Sequence, residues 1–281
     1  MLAVLAGALA AIGAYYTHRS FGLNRQGQIT ERFTRAVDQL GNRDSTDVRL
    51  GGIYALERLA RESRDDHGPI VEILTAYVRE HTSILPEDFE QQLIEEDPVR
   101  YPEPPSADVQ AALTVLGRRN TSYDPPLPWR LDLSGTYLPK AELAGTDLSR
   151  ADLSYAVLDL ARLDGAQLSH AVLRGARLAY TGLRGVNLEY ANLDSVNACK
   201  AYLNDAEMAH AVGGKERFRG ADLRGAQLQH ADLDDSDLVK TDLRGADLTG
   251  TGLVNARYST STTWPEGFEY EASGASRVDD S

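Results

Sequence analysis

The chain has 281 residues, with 29 Lys or Arg against 42 Asp or Glu and a formal net charge of −13. An acidic balance without a basic stripe lacks the electrostatic footprint of a nucleic-acid binder. The single cysteine, Cys199, excludes an internal disulfide and suits a reducing compartment, with packing rather than reactivity as its expected role.

Residues 1–16 hold no charged side chain and end on Tyr15 and Tyr16, the composition of a membrane segment with an aromatic belt. As a helix they span about 24 Å at 1.5 Å per residue, short of a hydrocarbon core of roughly 30 Å. A transmembrane or anchor helix over 1–17 is therefore expected with the bilayer thinned, or with a true start upstream of Met1. The rivals are a signal peptide, through Ala8-Leu9-Ala10 but without a basic n-region, and a buried or soluble helix. Arg19, Arg25, Arg32 and Arg35 follow the apolar run against Glu31. The positive-inside rule then places the body in the cytoplasm behind a single pass, with the lipid bilayer as one partner. A wholly cytoplasmic chain is the alternative.

Residues 18–85 read as a small α-helical module. Ile29, Phe33, Val37 and Leu40 recur at three or four, and Gly41 ends the stripe. The stretch Asp47-Val48-Arg49-Leu50-Gly51-Gly52-Ile53-Tyr54-Ala55-Leu56-Glu57-Arg58-Leu59-Ala60 resembles the DVRxxAxxALxxL pattern of a HEAT-type helix. A further helix is expected to start near Pro69, a residue suited to a first turn, and to bury Ile70, Ile73, Leu74, Tyr77 and Val78. Residues 86–128 form an acidic linker interrupted by Pro86, Pro98, Pro102, Pro104 and Pro105; residues 80–124 hold ten acids against three bases. Within it Ser106 can cap a helix near 106–119 with Val109, Ala112, Leu113 and Leu116 inward. That helix, helped by Trp129, is expected to cover the start of the domain that follows.

From Leu133 to Tyr258 every fifth residue stands on one register, and 21 of these 26 positions are Leu. The exceptions are Ala198, Met208, Gly213, Phe218 and Tyr258. Two residues earlier the side chain is small, apart from Leu131 and Glu216, with Val186 and Val196 slightly larger. A period of five fits neither a helix at 3.6 nor a strand at two, and it marks a solenoid. Gly145, Gly165, Gly185, Gly225 and Gly245 recur at every fourth unit, with Asp205 the one departure. Four five-residue units therefore close a coil, and the glycines mark a corner where the backbone needs φ > 0 or lacks room for a Cβ. Leucines such as Leu133, Leu138, Leu143, Leu148, Leu153, Leu223 and Leu243 are the expected core.

Segments such as Ala151-Asp152-Leu153-Ser154-Tyr155, Ala191-Asn192-Leu193-Asp194-Ser195 and Ala246-Asp247-Leu248-Thr249-Gly250 resemble the A(D/N)LXX units of pentapeptide-repeat proteins. The resemblance implies a right-handed quadrilateral β-helix over 129–258, which makes the whole chain an α+β multi-domain protein. At about 4.8 Å per coil, its 6.5 or so coils extend roughly 30 Å. Both ends of a solenoid need cover. Trp264-Pro265-Glu266-Gly267-Phe268 resembles a closing stretch of this family, so 259–281 is assigned as cap and tail, with Trp264 and Phe268 as the lid and Ala272 to Ser281 frayed. Ala211 to Arg217 keeps register but loses the central Leu and the small residue, and a bulge or loop is expected there. Gly214-Lys215 lacks the remaining glycine and hydroxyl of a phosphate loop. The anchor, helical module and repeats together resemble actinobacterial pentapeptide-repeat membrane proteins, and 25 Arg against 4 Lys fits a GC-rich genome.

Some pentapeptide-repeat proteins imitate B-form DNA and bind DNA gyrase, so the resemblance offers a DNA-mimic topoisomerase regulator of the quinolone-resistance type as the alternative function. Such mimicry requires an acidic face, whereas 131–258 hold 18 acids and 14 bases in mixed order. His170, His210 and His230 share one face at 20-residue spacing, with Tyr190 between the first two. Arg150 and Gly250 are its other members, so no carboxylate or thiolate completes a metal set. No HExxH, GxGxxG, complete P-loop or GxSxG motif occurs. The expected function is a non-enzymatic, membrane-tethered interaction scaffold without catalytic residues, cofactor, metal or nucleic acid. Its candidate faces carry His170, Tyr190, His210 and His230, or Tyr180, Lys200 and Lys240. The partner is an unidentified protein, and self-association into a homo-oligomer stays open.

Overall fold

A computed structural model describes residues 28–82 and 102–280. The anchor expected over 1–17 lies outside the described residues, as does much of the acidic linker. Among the described residues no helix is long and apolar enough to cross a membrane. The chain divides into two compact units between Ile70 and Val71, inside a helix, whereas the sequence placed the end of the helical module at 85.

In the first unit, α1 covers 28–40 of the described residues, α2 covers Thr46–Glu62, and α3, Arg64–Thr82, begins. The Ser45 hydroxyl accepts the Val48 N–H at 3.4 Å, and Asp47 lies in the first turn of α2, a side-chain cap and a dipole match. Ala36 and Leu40 of α1 and Ile53, Leu56 and Leu59 of α2 are buried. Gly52 has no room for a side chain, because a Cβ there would lie 2.6 Å from the Leu40 nitrogen and 2.7 Å from the Ala36 oxygen. The helix expected near Pro69 starts earlier, at Arg64. The Ser63 hydroxyl accepts the Asp66 N–H at 3.4 Å, and Pro69, the sixth residue of the helix, gives up one bond, to the Asp65 carbonyl.

The second unit contains the solenoid. Parallel bridges join each segment to the fourth one after it, from Asp132 with Asp152 to Asp237 with Arg257, so four segments make one coil. In most five-residue segments the carbonyl of the central residue accepts the N–H three residues on, as in Ala151 to Leu148 at 3.0 Å. All 25 turn positions from 135 to 255 have φ between +57° and +73° with their preceding residues outside that region, the pattern of a type II turn. Sixteen of them are not glycine, and none is Val, Ile or Thr, the residues that tolerate positive φ least. One N–H in the segments lacks a backbone partner, and where Asp or Asn precedes the central residue its side chain supplies one: Asp152 Oδ1 accepts from Ser154 at 2.9 Å, and Asn192 Oδ1 from Asp194 at 3.0 Å. This explains the acid or amide before the central leucine.

The central side chains fill the interior; Leu133, Leu138, Leu143, Leu148, Leu153, Leu223 and Leu243 are all at most 1% exposed. Ala198 leaves space in its column, and Phe218, one coil on and 1% exposed, occupies the next layer.

Helix ends close the N-terminal edge. The Tyr137 N–H donates to the Thr82 carbonyl at 2.6 Å, Glu142 N–H to Gln110 Oε1 at 3.0 Å, and Asp147 N–H to the Gly117 carbonyl at 2.7 Å. Thr82 ends α3, and Gln110 and Gly117 belong to α4, Ala107–Gly117. Two carbonyls at helix C-termini and one side-chain amide oxygen thus satisfy N–H groups orphaned at a sheet edge. Tyr77 Oη donates to Asp108 at 2.7 Å, Arg79 pairs with Asp132, and Val109, Ala112, Leu113 and Leu116 are buried. At the other end Trp264 stacks on Tyr270 at 5.4 Å and Phe268 at 5.5 Å, with Tyr258 edge-on at 5.6 Å. The tail expected to fray is instead paired. Here β2, Ser276–Arg277, runs parallel to β1, Arg257–Tyr258, and Asp280 accepts from the Thr260 and Ser261 hydroxyls.

Substitution tests both packing arrangements. Gly52→Ala should destabilise the helical unit by about 1–3 kcal/mol through backbone overlap. Ala198→Leu should cost a similar amount by overpacking and Phe218→Leu about 1 kcal/mol by leaving a void. The Ala198→Leu/Phe218→Leu pair should lose less than the sum, with a coupling of about 1 kcal/mol in a denaturant double-mutant cycle.

Candidate functional site

His170, Tyr190, His210 and His230 occupy equivalent turn positions with φ of 57–59°. Identical backbone repeated at strand spacing, about 4.8 Å, brings their rings into one continuous stack. The centroid distances are 5.0, 4.9 and 5.2 Å and the interplanar angles 7°, 9° and 12°. All four residues are exposed. The His230 ring overlies Gly250, where a Cβ would lie 2.6 Å from Nδ1, so the stack ends there. Parallel rings face each other rather than converge on a common point, and among the described residues no group of three or more His, Cys, Asp or Glu is placed to hold a metal ion.

The second candidate group is brought together only in part. Lys200 Nζ donates to Tyr180 Oη at 2.6 Å and lies 5.0 Å from its ring centroid. Gly220 takes the next place in that column, so Lys240 stands a coil apart. Burial pushes the Cys199 thiol above its ordinary range, against the thiolate that reactivity needs.

Charge is segregated around the coil, although it alternates along the chain. Counting 131–258 by segment, the second and third segments of each coil, which flank Tyr180 and Lys200, hold 11 bases and 8 acids. The fourth and first segments, which flank the His and Tyr stack, hold 3 bases and 10 acids, a net of −7.

The pentapeptide-repeat family model matches in eight copies, over residues 130–165, 141–179, 183–212 and 217–253. These residues form a pentapeptide-repeat domain. No curated protein matches the chain. Among solved structures it is similar to HetL, a pentapeptide-repeat protein involved in heterocyst differentiation regulation from the cyanobacterium Nostoc, at 28% identity, covering 43% of this chain and 75% of that one with a TM-score of 0.18. It is similar to Rfr23 from the cyanobacterium Cyanothece at 26% identity, covering 47% and 87% with a TM-score of 0.27. QnrB1, a plasmid-mediated fluoroquinolone resistance protein, matches at 19% identity over 52% of this chain and 79% of that one, with a TM-score of 0.34.

The matched spans skip 213–216, where the pentapeptide-repeat domain departs from its own rule. The bulge expected over 211–217 does not form, because Arg217 still bridges to Asn197 and Asp237 and Lys215 keeps φ of +68°. The disturbance is inside. Gly213 vacates a leucine site and the Glu216 carboxyl enters it, so that a Cβ on Gly213 would lie 1.6 Å from Glu216 Oε1. Glu216 is 1% exposed; Oε1 accepts the Gly214 N–H, while Oε2 has no hydrogen-bond partner. The backbone bridge between Val212 and Asp232 is missing from an otherwise regular series. Burial, ahead of the nearby Asp232 and Asp194 carboxylates, lifts the Glu216 pKa to about 7 despite the opposing Gly214 and Glu216 N–H donors. Sequence reading met Glu216 as an exception to the small position and assigned it no role.

A carboxyl that titrates near 7 when folded and near 4.5 when unfolded holds its proton more tightly in the native state. Its penalty is absent below about pH 4.5, grows as pH rises, and is complete above about pH 7. The loss should reach about 3 kcal/mol. Urea unfolding of the wild type from pH 5 to 8 should show this decline, and Glu216→Gln should flatten it.

Proposed function

We propose that the chain is a non-enzymatic scaffold whose pentapeptide-repeat rod docks a protein partner along the His170, Tyr190, His210 and His230 stack. The observation that carries this reading is the stack itself: four exposed rings in one file, fixed at 4.9–5.2 Å by the coil spacing. Such a surface loses little conformational freedom on binding, and tyrosine is a residue type enriched at interfaces. We infer a right-handed quadrilateral form for the rod. The proposal also places residues 1–17 in a membrane, with the body on the cytoplasmic side, on the grounds of their apolar composition and the arginines that follow. Replacing all four stack residues by Asn, which tolerates positive φ, should leave the melting temperature within a few degrees. Partner recovery by tagged full-length protein from solubilised native membranes should fall at least tenfold; equal recovery by wild type and variant would overturn the reading.

The acidic side of the rod favours one second reading, a DNA-mimic regulator of gyrase or another topoisomerase. A net −7 over roughly 30 Å is one charge per about 4 Å, against one per about 1.7 Å for duplex DNA. The density is less than half that of DNA, which keeps this reading second. A supercoiling assay with the full chain tests it, and this reading expects inhibition or protection of gyrase that weakens with added salt.

A further inference from the structure

Residues 121–131, which follow α4 in the chain, line a half-open cavity of about 530 Å³ together with Asp147, Arg150 and His170. The enclosure is preformed. Arg119, with a side chain 4% exposed, donates Nε and one terminal nitrogen to the two Asp124 oxygens at 3.1 and 2.8 Å. Its other terminal nitrogen donates to the carbonyls of Leu116 at 2.9 Å and Asp147 at 2.7 Å. One buried guanidinium therefore ties the loop to the helix and to the first coil together.

The lining chemistry is unequal. Of the carboxylates on the wall, Asp124 is held by Arg119, and Asp147 accepts the Ser149 N–H at 3.0 Å. Arg130 and Arg150 also line the cavity and form no ion pair among the described residues. The rest of the wall has an apolar side, made of the half-buried Trp129, Pro125, Pro126 and Leu127, which is 62% exposed, and a polar side of Thr121, Ser149, Ser169 and His170. Guanidinium groups recognise carboxylate and phosphate oxygens in pairs, and flat apolar walls accept a ring. The volume lies in the range of small-molecule sites, roughly 300–1,000 Å³.

We propose that this cavity is a binding site for a small aromatic molecule bearing one carboxylate or phosphate, with Arg130 and Arg150 on the anion and Trp129 with the prolines on the ring. The site adjoins the proposed docking surface along the stack, and His170 belongs to both.

Calorimetric titration of the full chain with phenyl phosphate, benzoate and inorganic phosphate tests the assignment. Phenyl phosphate or benzoate should bind at least tenfold more tightly than inorganic phosphate. Arg130→Gln and Arg150→Asn should each weaken that binding tenfold or more with the melting temperature unchanged, and Trp129→Ala should do so for the aromatic probes alone. Arg150→Lys, which keeps the charge and loses the fork, should recover only part of the affinity. An absence of binding by both aromatic probes would overturn the proposal. So would equal affinity for inorganic phosphate, or binding indifferent to the arginine substitutions in folded protein.

Discussion

A hydrogen bond from one backbone N–H to the carbonyl of the central residue three positions earlier closes most of the turns that recur at every fifth residue of the rod, and most other features depend on it. The turn requires positive φ at its second inner residue, which costs an L-residue roughly 1 kcal/mol. Gly135, Gly145 and Gly165 avoid that cost, whereas Lys140, Arg150 and Tyr155 bear it. The cost is offset by the leucine layer buried with each turn and by backbone pairing to the coils on either side. Because the turns recur without drift, side chains one coil apart are superimposed, and chemistry that looks scattered along the chain becomes columns.

The rod was legible because two independent periods, the five-residue unit and the four-unit coil, describe it, and because leucine occupies the inward position so consistently. The His and Tyr column could be read the same way, since equal spacing guarantees a shared turn. Charge segregation was equally present in the sequence, but it emerges only when the chain is written with one coil to a row. Counting acids along the strand direction mixes opposite sides of the coil and hides it.

Other features carry no periodic signal. The hydrogen bond between Tyr137 and Thr82 joins residues separated by the linker, and nothing local to either marks it. A two-residue strand such as Ser276–Arg277 is too short to produce alternation, so polar composition alone suggested a loose tail. The role of Glu216 depends on the space left by a missing side chain at Gly213. Two separate departures from the pattern, a missing leucine and an oversized corner residue, prove to be one substitution in space: a carboxyl standing where an isobutyl group belongs.

The coil register also constrains how such a gene can change. Loss or gain of one whole coil within 151–250 would alter the rod's length while leaving every later side chain in its own column. Loss or gain of a single unit would preserve the leucines and the turns, yet advance everything beyond it by one segment. A change within the stack would break it into two files on adjacent corners, and the acidic and basic sides would each turn by a quarter of the coil partway along. Variation in length should therefore come in whole coils, even though the chemical repeat is only a quarter of one.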